Sequence, residues 1–287
     1  MEILASDSMG ARSMATFVRA GGHAFLIDPG VALGPKRFGL PPHPLELARR
    51  DELWRRIREK ASEAEFIILT HYHHDHYNPQ GLEVFCGKTV FLKDWERNIN
   101  KSQRKRASEL LSAVSGAAKE IFKADGESFR IGDVTITFSP AQPHGYTNRL
   151  GYVVQVLIEE GGRRFLFTSD IQGACLREHL DFMLDSRAHV IFMDGVPIYL
   201  AGSKFSWRAV ESSKEHLAEL LGALEGTTLV LDHHLTRDAR YGKWLSFLGG
   251  ALSRVLTAAE FMGRTNLLLE ANRKRLYHEG GLQAHQI

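Results

Sequence analysis

Short apolar runs of strand length, each stopping at a polar or glycine-rich stretch, recur along this chain and set its plan. Residues 15–19 and 23–27 flank Ala20-Gly21-Gly22, residues 129–131 and 134–138 flank Gly132-Asp133, and residues 152–158 and 163–167 flank Glu159-Glu160-Gly161-Gly162. Each pair predicts a β-hairpin closed by glycine turn chemistry. Further strands are predicted at 1–6, 66–69, 89–93, 190–193 and 228–231. Apolar residues at helical spacing predict helices over about 44–61 (Leu53, Trp54, Ile57, Ala61), from about 107 (Leu110, Leu111, Val114), over 206–224 (Val210, Leu217, Leu221) and near 243–258 (Trp244, Phe247, Leu248, Val255). Residues 31–44, rich in Gly and Pro, predict an extended loop, which makes 31–62 a Pro/Arg-rich loop–helix insertion. No linker and no solenoid-type repeat divides the chain, so residues 1–287 form one domain.

Composition narrows this little. The chain has 287 residues, 44% hydrophobic, and a formal net charge of +2, which is enough core for a large α/β domain and no sign of nucleic acid by itself. The two cysteines, Cys86 and Cys175, offer no disulfide framework. The first ten residues lack the basic-then-apolar pattern of a signal peptide, and no apolar run is long enough to span a bilayer. A soluble cytoplasmic protein without membrane partners is the expectation, its oligomeric state open.

The chemistry sits where strands stop. The run Phe66-Ile67-Ile68-Leu69 ends in Thr70, and His71, His73, Asp75 and His76 follow within six residues. Imidazole and carboxylate are the donors that zinc and similar divalent metals prefer, and at a strand end the backbone can bend so that such side chains converge. The bland alternative is a solvated His-rich loop. Three more strand ends carry the same residue types: His144 after 134–138, Asp170 after 163–167, and Asp232-His233-His234 after 228–231. Four strand ends delivering metal-type ligands is a stronger signal than any one of them. Asp28, after 23–27, is either a carboxylate that orients a ligand histidine or a turn residue. The isolated histidines, at 23, 43, 179, 189, 216, 278 and 285, are expected at the surface or satisfied in the core.

A hydrophobic strand ending in Thr70-His71-x-His73-x-Asp75-His76 resembles the signature of the metallo-β-lactamase superfamily, and in detail an archaeal branch of it that brings no activity to carry over. The resemblance implies a four-layer αββα sandwich with a one- or two-metal site between its sheets. It also implies that His71, His73 and His144 hold one metal, that Asp75, His76 and His233 hold a second, and that Asp170 bridges both. The ions would be zinc, with manganese or iron as alternatives. His233 repeats the register of His71 at its own strand end and is preferred over His234, on the premise that adjacent strand-end residues point apart. His234 is left as a proton donor beside the metals.

Two cations in such a site can share a bridging water and acidify it toward a hydroxide nucleophile, with Asp75 orienting it and passing on its proton. The resemblance therefore implies a binuclear metal-dependent hydrolase. An aspartate at 170, where β-lactam-hydrolysing members carry cysteine, points away from that reaction. A phosphodiester or nucleic-acid substrate is slightly favoured by the basic run 97–106, by Arg12, and by Arg237 four residues after His233, a spacing also seen in tRNA-processing nucleases of the superfamily. Arg12, Lys204 and Arg237 are the candidate substrate binders. The alternatives are a carboxylic ester, thioester or lactone hydrolase, then a di-iron redox protein or a non-catalytic metal-binding protein; a small-molecule substrate is equally compatible. The arginine-rich helix 44–61 and the run 97–106 read otherwise as solvated faces.

Overall fold

The computed structural model describes residues 1–279. Two mixed sheets stack face to face. The first runs in order β1 (Glu2–Ile3), β2 (Thr16–Ala20), β3 (His23–Ile27), β4 (Phe66–Leu69), β5 (Thr89–Leu92) and β6 (Glu120–Lys123), antiparallel through β3 and parallel after it. The second contains β7 (Ser128–Ile131), β8 (Val134–Phe138), β11 (Val156–Glu160), β12 (Arg163–Phe167), β13 (Val190–Met193), β14 (Thr228–Leu231) and β15 (Val255–Leu256). Its order is β15-β14-β13-β12-β11-β8-β7, parallel from β12 to β15 and antiparallel on the other side. A small pair, β9 (Gln142–Pro143) and β10 (Tyr152–Val153), lies beside it.

Helices α1 (Pro44–Glu63) and α2 (Lys101–Val114) cover the outer face of the first sheet, and α3 (Arg177–Ser186) and α4 (Trp207–Ala223) that of the second. The period-2 alternation of strand side chains divides the core into three layers. Ile67 and Leu69 face α1 and α2, while Ile68 between them meets Ile136, Phe167 and Phe192 of the opposite sheet. Both faces of the central strands are buried, which is why they read as unbroken apolar runs. The four-layer αββα sandwich is thus the fold.

Several expectations are corrected. Residues 31–62 are the crossover that joins the parallel neighbours β3 and β4, a connection such a pair requires, so they belong to the helical layer and are no appendage. The run 1–6 pairs only at Glu2–Ile3, and a 3₁₀ turn follows at Asp7–Met9. The run 152–158 is broken into β10 and β11, where Val154 donates across the sandwich to Thr70 O and Gln155 donates to Ser139 Oγ at the end of the neighbouring β8. Near 243–258 stands no continuous helix: after α5 (Tyr241–Trp244) the chain is 3₁₀ over Leu245–Arg254, kinked at Gly249 with φ 53°, and then enters β15. Two short helices follow, α6 (Ala258–Phe261) and α7 (Arg273–His278). The closing segment is tied down by ion pairs. Arg273 and Glu46, both fully buried, meet at 2.7 and 2.8 Å, and Arg12 grips both oxygens of Glu270. None of the helices among the described residues is long and apolar enough to cross a membrane.

Candidate metal centre

The candidate residues all hang from the C-terminal edges of strands, where chain geometry leaves a crevice between the sheets. β4 delivers Thr70 and His71, and a tight turn closed by His76 N–H to His73 O (3.0 Å) gathers His73, Asp75 and His76. From the facing sheet come His144 after β8 and β9, Asp170 after β12, and His233 and His234 after β14. His71, His73 and His144 form a ring with centroid separations of 4.6, 4.8 and 5.2 Å. Asp170 lies between the groups: Oδ2 is 3.2 Å from His144 Nε2, and Oδ1 is 3.1 Å from His76 Nε2 and 3.6 Å from His233 Nε2. Donor atoms of His71, His73, His144 and Asp170 lie within 4.8 Å of one another, as do those of Asp75, His76 and His233. The His/Asp clusters are therefore able to bind metal.

The donor set fits cations. His71 Nε2, His76 Nε2, both nitrogens of His144 and Asp170 Oδ1 are buried without a hydrogen-bond partner. Such orphans are costly in a folded interior unless an ion satisfies them. Burial and the surrounding imidazoles hold His71 well below the ordinary histidine range, and burial together with His144 brings His73 down to about 3, so both are neutral, the ligating form. At His76 and His233 burial again opposes charge, but Asp170 with Asp28 lifts His76 well above its ordinary value, and Asp170 with Asp7 lifts His233 to about 9. Burial likewise opposes the charge on Asp170, and His76, His233 and His234 overcome it. Protons thus collect where carboxylates concentrate negative charge, the place where a metal would displace them.

Each ligand-type side chain is held from behind. Asp28 accepts from Thr70 N–H (2.8 Å) and Thr70 Oγ–H (2.6 Å) and meets His76 Nδ1 at 2.7 Å, which makes it the orienting carboxylate and not merely a turn. Ser169 Oγ lies 3.2 Å from His71 Nδ1. Asp7 meets His233 Nδ1 at 2.7 Å and accepts from Arg237 Nε at 2.8 Å, and Asp194 holds His234 Nδ1 at 2.8 Å. Asp232, fully buried, accepts from the hydroxyls of Ser6 and Thr236 and from the N–H groups of Ser8, His233 and Ala258. The strand-end turns themselves are left-handed at non-glycine residues: Asp28 (φ 48°), Ser169 (59°), Gln172 (54°) and His233 (38°). Conformations of this kind persist only where the surroundings impose them and gather at functional sites. Gly30 completes the packing, since a Cβ there would stand 2.2 Å from Tyr77 N and 2.4 Å from the His76 carbonyl carbon.

The geometry corrects the argument that only one of His233 and His234 can face the cluster. With His233 left-handed, the strand alternation has ended, and the two rings stand 4.5 Å apart, both turned toward Asp170. His233 Nε2 lies 3.6 Å from both Asp75 and Asp170, and His234 Nε2 lies 3.8 Å from Asp170. The three candidate substrate binders separate. Arg237 is only 4% exposed and is committed to Asp7 and the His233 ring, and Arg12 is committed to Glu270, so neither is a free cation at the mouth. Lys204 lines a cavity of about 730 Å³ together with Tyr146, Arg149, Leu150, Gln172 and Phe205. No donor of the cluster is part of that lining; the cavity is tied to the cluster through Tyr146 and Gln172, each two residues beyond a donor, His144 and Asp170. The run 97–106 is largely inside α2 on the outer layer, where Arg104 and Arg106 donate to the carbonyls of Glu96 and Tyr72. The arginines of α1 are mostly paired, for example Arg49 with Glu52 and Arg56 with Glu2 at 2.6 Å. His179 is a buried core residue whose Nε2 faces Pro143 O, and His285 lies outside the described residues. Sequence reasoning assigned no role to Asp7, Asp194 or Asp232. Asp194 and Asp232 each follow a strand, and Asp7 follows the run 1–6 expected as one, so all three carry the signal that marks Asp170.

The family model of the metallo-beta-lactamase superfamily matches residues 10–225. The chain belongs to this superfamily. Among curated archaeal proteins it is 46% identical to the UPF0282 protein of Korarchaeum cryptofilum over 279 residues, covering 96% of this chain and 93% of that one. It is 42% identical to the UPF0282 protein of Metallosphaera sedula over 286 residues, covering 96% and 92%. Solved metallo-beta-lactamase-type structures share its fold at low identity. An isothiocyanate hydrolase from Delia radicum gut bacteria aligns with a TM-score of 0.56 at 17% identity, covering 86% of this chain and 94% of that one. Yeast PDE1 aligns with a TM-score of 0.54 at 12% identity, covering 88% and 93%. The superfamily match ends before His233, so the second cluster is completed by chain beyond it.

Proposed function

We propose that the chain is a metal-dependent hydrolase of phosphodiesters that uses two divalent cations, zinc first and manganese or iron as alternatives. The observation that carries the substrate class is the cavity beside the cluster: its lining includes the cations Arg149 and Lys204 and no carboxylate. An anionic ester entering there meets positive charge on the walls, beside the turns that carry His144 and Asp170. Bound divalent cations would polarise an ester oxygen and acidify a water.

The protein's own part follows from its geometry. His71, His73, His144 and Asp170 would hold one cation, and Asp75, His76, His233 and Asp170 the other. Asp75, with its side chain 18% exposed, is the carboxylate of the cluster that opens to solvent, placed to orient a water and accept its proton. Asp194 meets His234 Nδ1 at 2.8 Å and so fixes its ring with Nε2 turned toward Asp170, where it would be placed to pass a proton to a leaving oxygen. Leu150, Leu200 and Phe205 on the same wall favour, as the second reading, a carboxylic ester, thioester or lactone.

The test is a panel of chromogenic phosphodiesters, thioesters and lactones presented to protein reconstituted with zinc, manganese or iron. Turnover of phosphodiesters that is lost in Lys204→Glu is the expected result. Turnover confined to thioesters or lactones would transfer the assignment to the second reading.

A further inference from the structure

The wall formed by residues 198–207 has two faces. Leu200, Lys204 and Phe205 line the cavity beside the cluster, while Ile198 and Trp207 line a neighbouring groove of about 500 Å³ with Lys243, Trp244 and Phe247. Trp207 stands where the two hollows meet. It is 62% exposed, more than any other large hydrophobic side chain among the described residues, and its indole nitrogen rests against bare Gly202, where a Cβ would come within 2.6 Å. Trp244 and Phe247 pack edge to face at 5.2 Å behind it.

Charge runs the same way. Arg149, Lys204, Arg208 and Lys243 are exposed around this path and take part in no ion pair among the described residues. Residues 195–210 contain no acid. The groove's one carboxylate, Asp238, is neutralised by Arg240 at 2.9 Å. An exposed indole flanked by unpaired cations suits alternating flat bases and phosphates: each base gains stacking energy on an aromatic face, and the cations follow the backbone.

Building on the phosphodiesterase reading, we propose that the substrate is a single-stranded nucleic acid, its scissile phosphate at the cluster and the next bases lying on Trp207 and in the groove beyond. The test is fluorescence anisotropy of metal-loaded protein with a labelled, phosphorothioate-linked U12, which resists hydrolysis, against a duplex and a poly-glutamate peptide. Trp207→Ala should weaken binding roughly 5- to 150-fold, the range of one lost base stack. Lys243→Glu should lower the dependence of affinity on salt. Trp207 is a surface residue, and unchanged circular dichroism and melting would show that the variant is folded. Equal affinity for wild type and Trp207→Ala, or for U12 and poly-glutamate, overturns the inference. Cleavage of small chromogenic phosphodiesters without U12 binding overturns it too, while leaving the phosphodiesterase reading in place. Failure to cleave any phosphodiester, oligonucleotides included, overturns both.

Discussion

Replacing Asp28 by asparagine changes one atom and places a tautomer conflict at the centre of the second cluster. Asp28 accepts three hydrogen bonds, from Thr70 N–H at one oxygen and from Thr70 Oγ–H and the His76 Nδ1 side at the other. An asparagine has one acceptor and one NH₂. If its NH₂ faces His76, Nδ1 must become the acceptor, and the proton moves to Nε2, the nitrogen aimed at Asp170 and unable to ligate while protonated. If the NH₂ faces Thr70 N–H instead, two donors confront each other in a fully buried position, at a cost of about 1–3 kcal/mol. Loss of the partner that orients a metal-binding histidine typically costs roughly 10–100-fold in affinity, or about 1.4–2.7 kcal/mol. Competitive titration against a chromogenic chelator should show the first equivalent of zinc unchanged in Asp28→Asn and the second weakened by that factor. A second equivalent bound within twofold of wild type by a folded variant would refute the tautomer argument.

Other outcomes follow from the same geometry. His233→Ala should lose the second equivalent of metal and most turnover, whereas His234→Ala, at the edge of the cluster and held by Asp194, should keep both equivalents by elemental analysis and lose turnover only. The reverse pattern would exchange their roles. Gly30→Ala should lower stability by about 1–3 kcal/mol through overpacking, because its Cβ would press on the backbone of Tyr77 and His76; denaturant unfolding measures this, and an unchanged midpoint would show that the loop yields. Removing metal by dialysis against chelator should lower the melting temperature by about 5–10 °C, the shift expected when a ligand at a hundredfold its dissociation constant is withdrawn, and zinc should restore it.

The parts legible in the sequence were those written in local pattern. The strands 23–27, 134–138, 163–167, 190–193 and 228–231 stand where alternation and glycine turns put them. The ligand-type residues were visible because each follows such a run. What escaped was decided by distant contacts. Strand β6 has a half-exposed edge pattern that mimics loop, and α3 is a short helix whose apolar positions Leu180 and Met183 are few. The helix expected near 243–258 was overruled by Gly249-Gly250. Asp7 reaches His233 across most of the chain, and the spacing of Arg237 from His233 cannot show that Asp7 claims its guanidinium. Strand alternation ends at His233 because the residue is left-handed, a conformation that sequence does not mark for histidine.

Along the chain, the two halves of the site close at different points. The donor atoms of the first cluster come from nothing later than Asp170, whose turn Asp194 holds, whereas the second waits for His233 and for the Asp7 contact that holds its ring. A polypeptide emerging from the ribosome thus has one cation seat available long before the other exists. Nascent chains stalled far enough beyond residue 194 to free it from the ribosome, but with His233 not yet emerged, should take up one metal equivalent, and chains stalled well beyond 233 should take up two. A single step at the longer length would show instead that neither seat forms until the C-terminal sheet is complete.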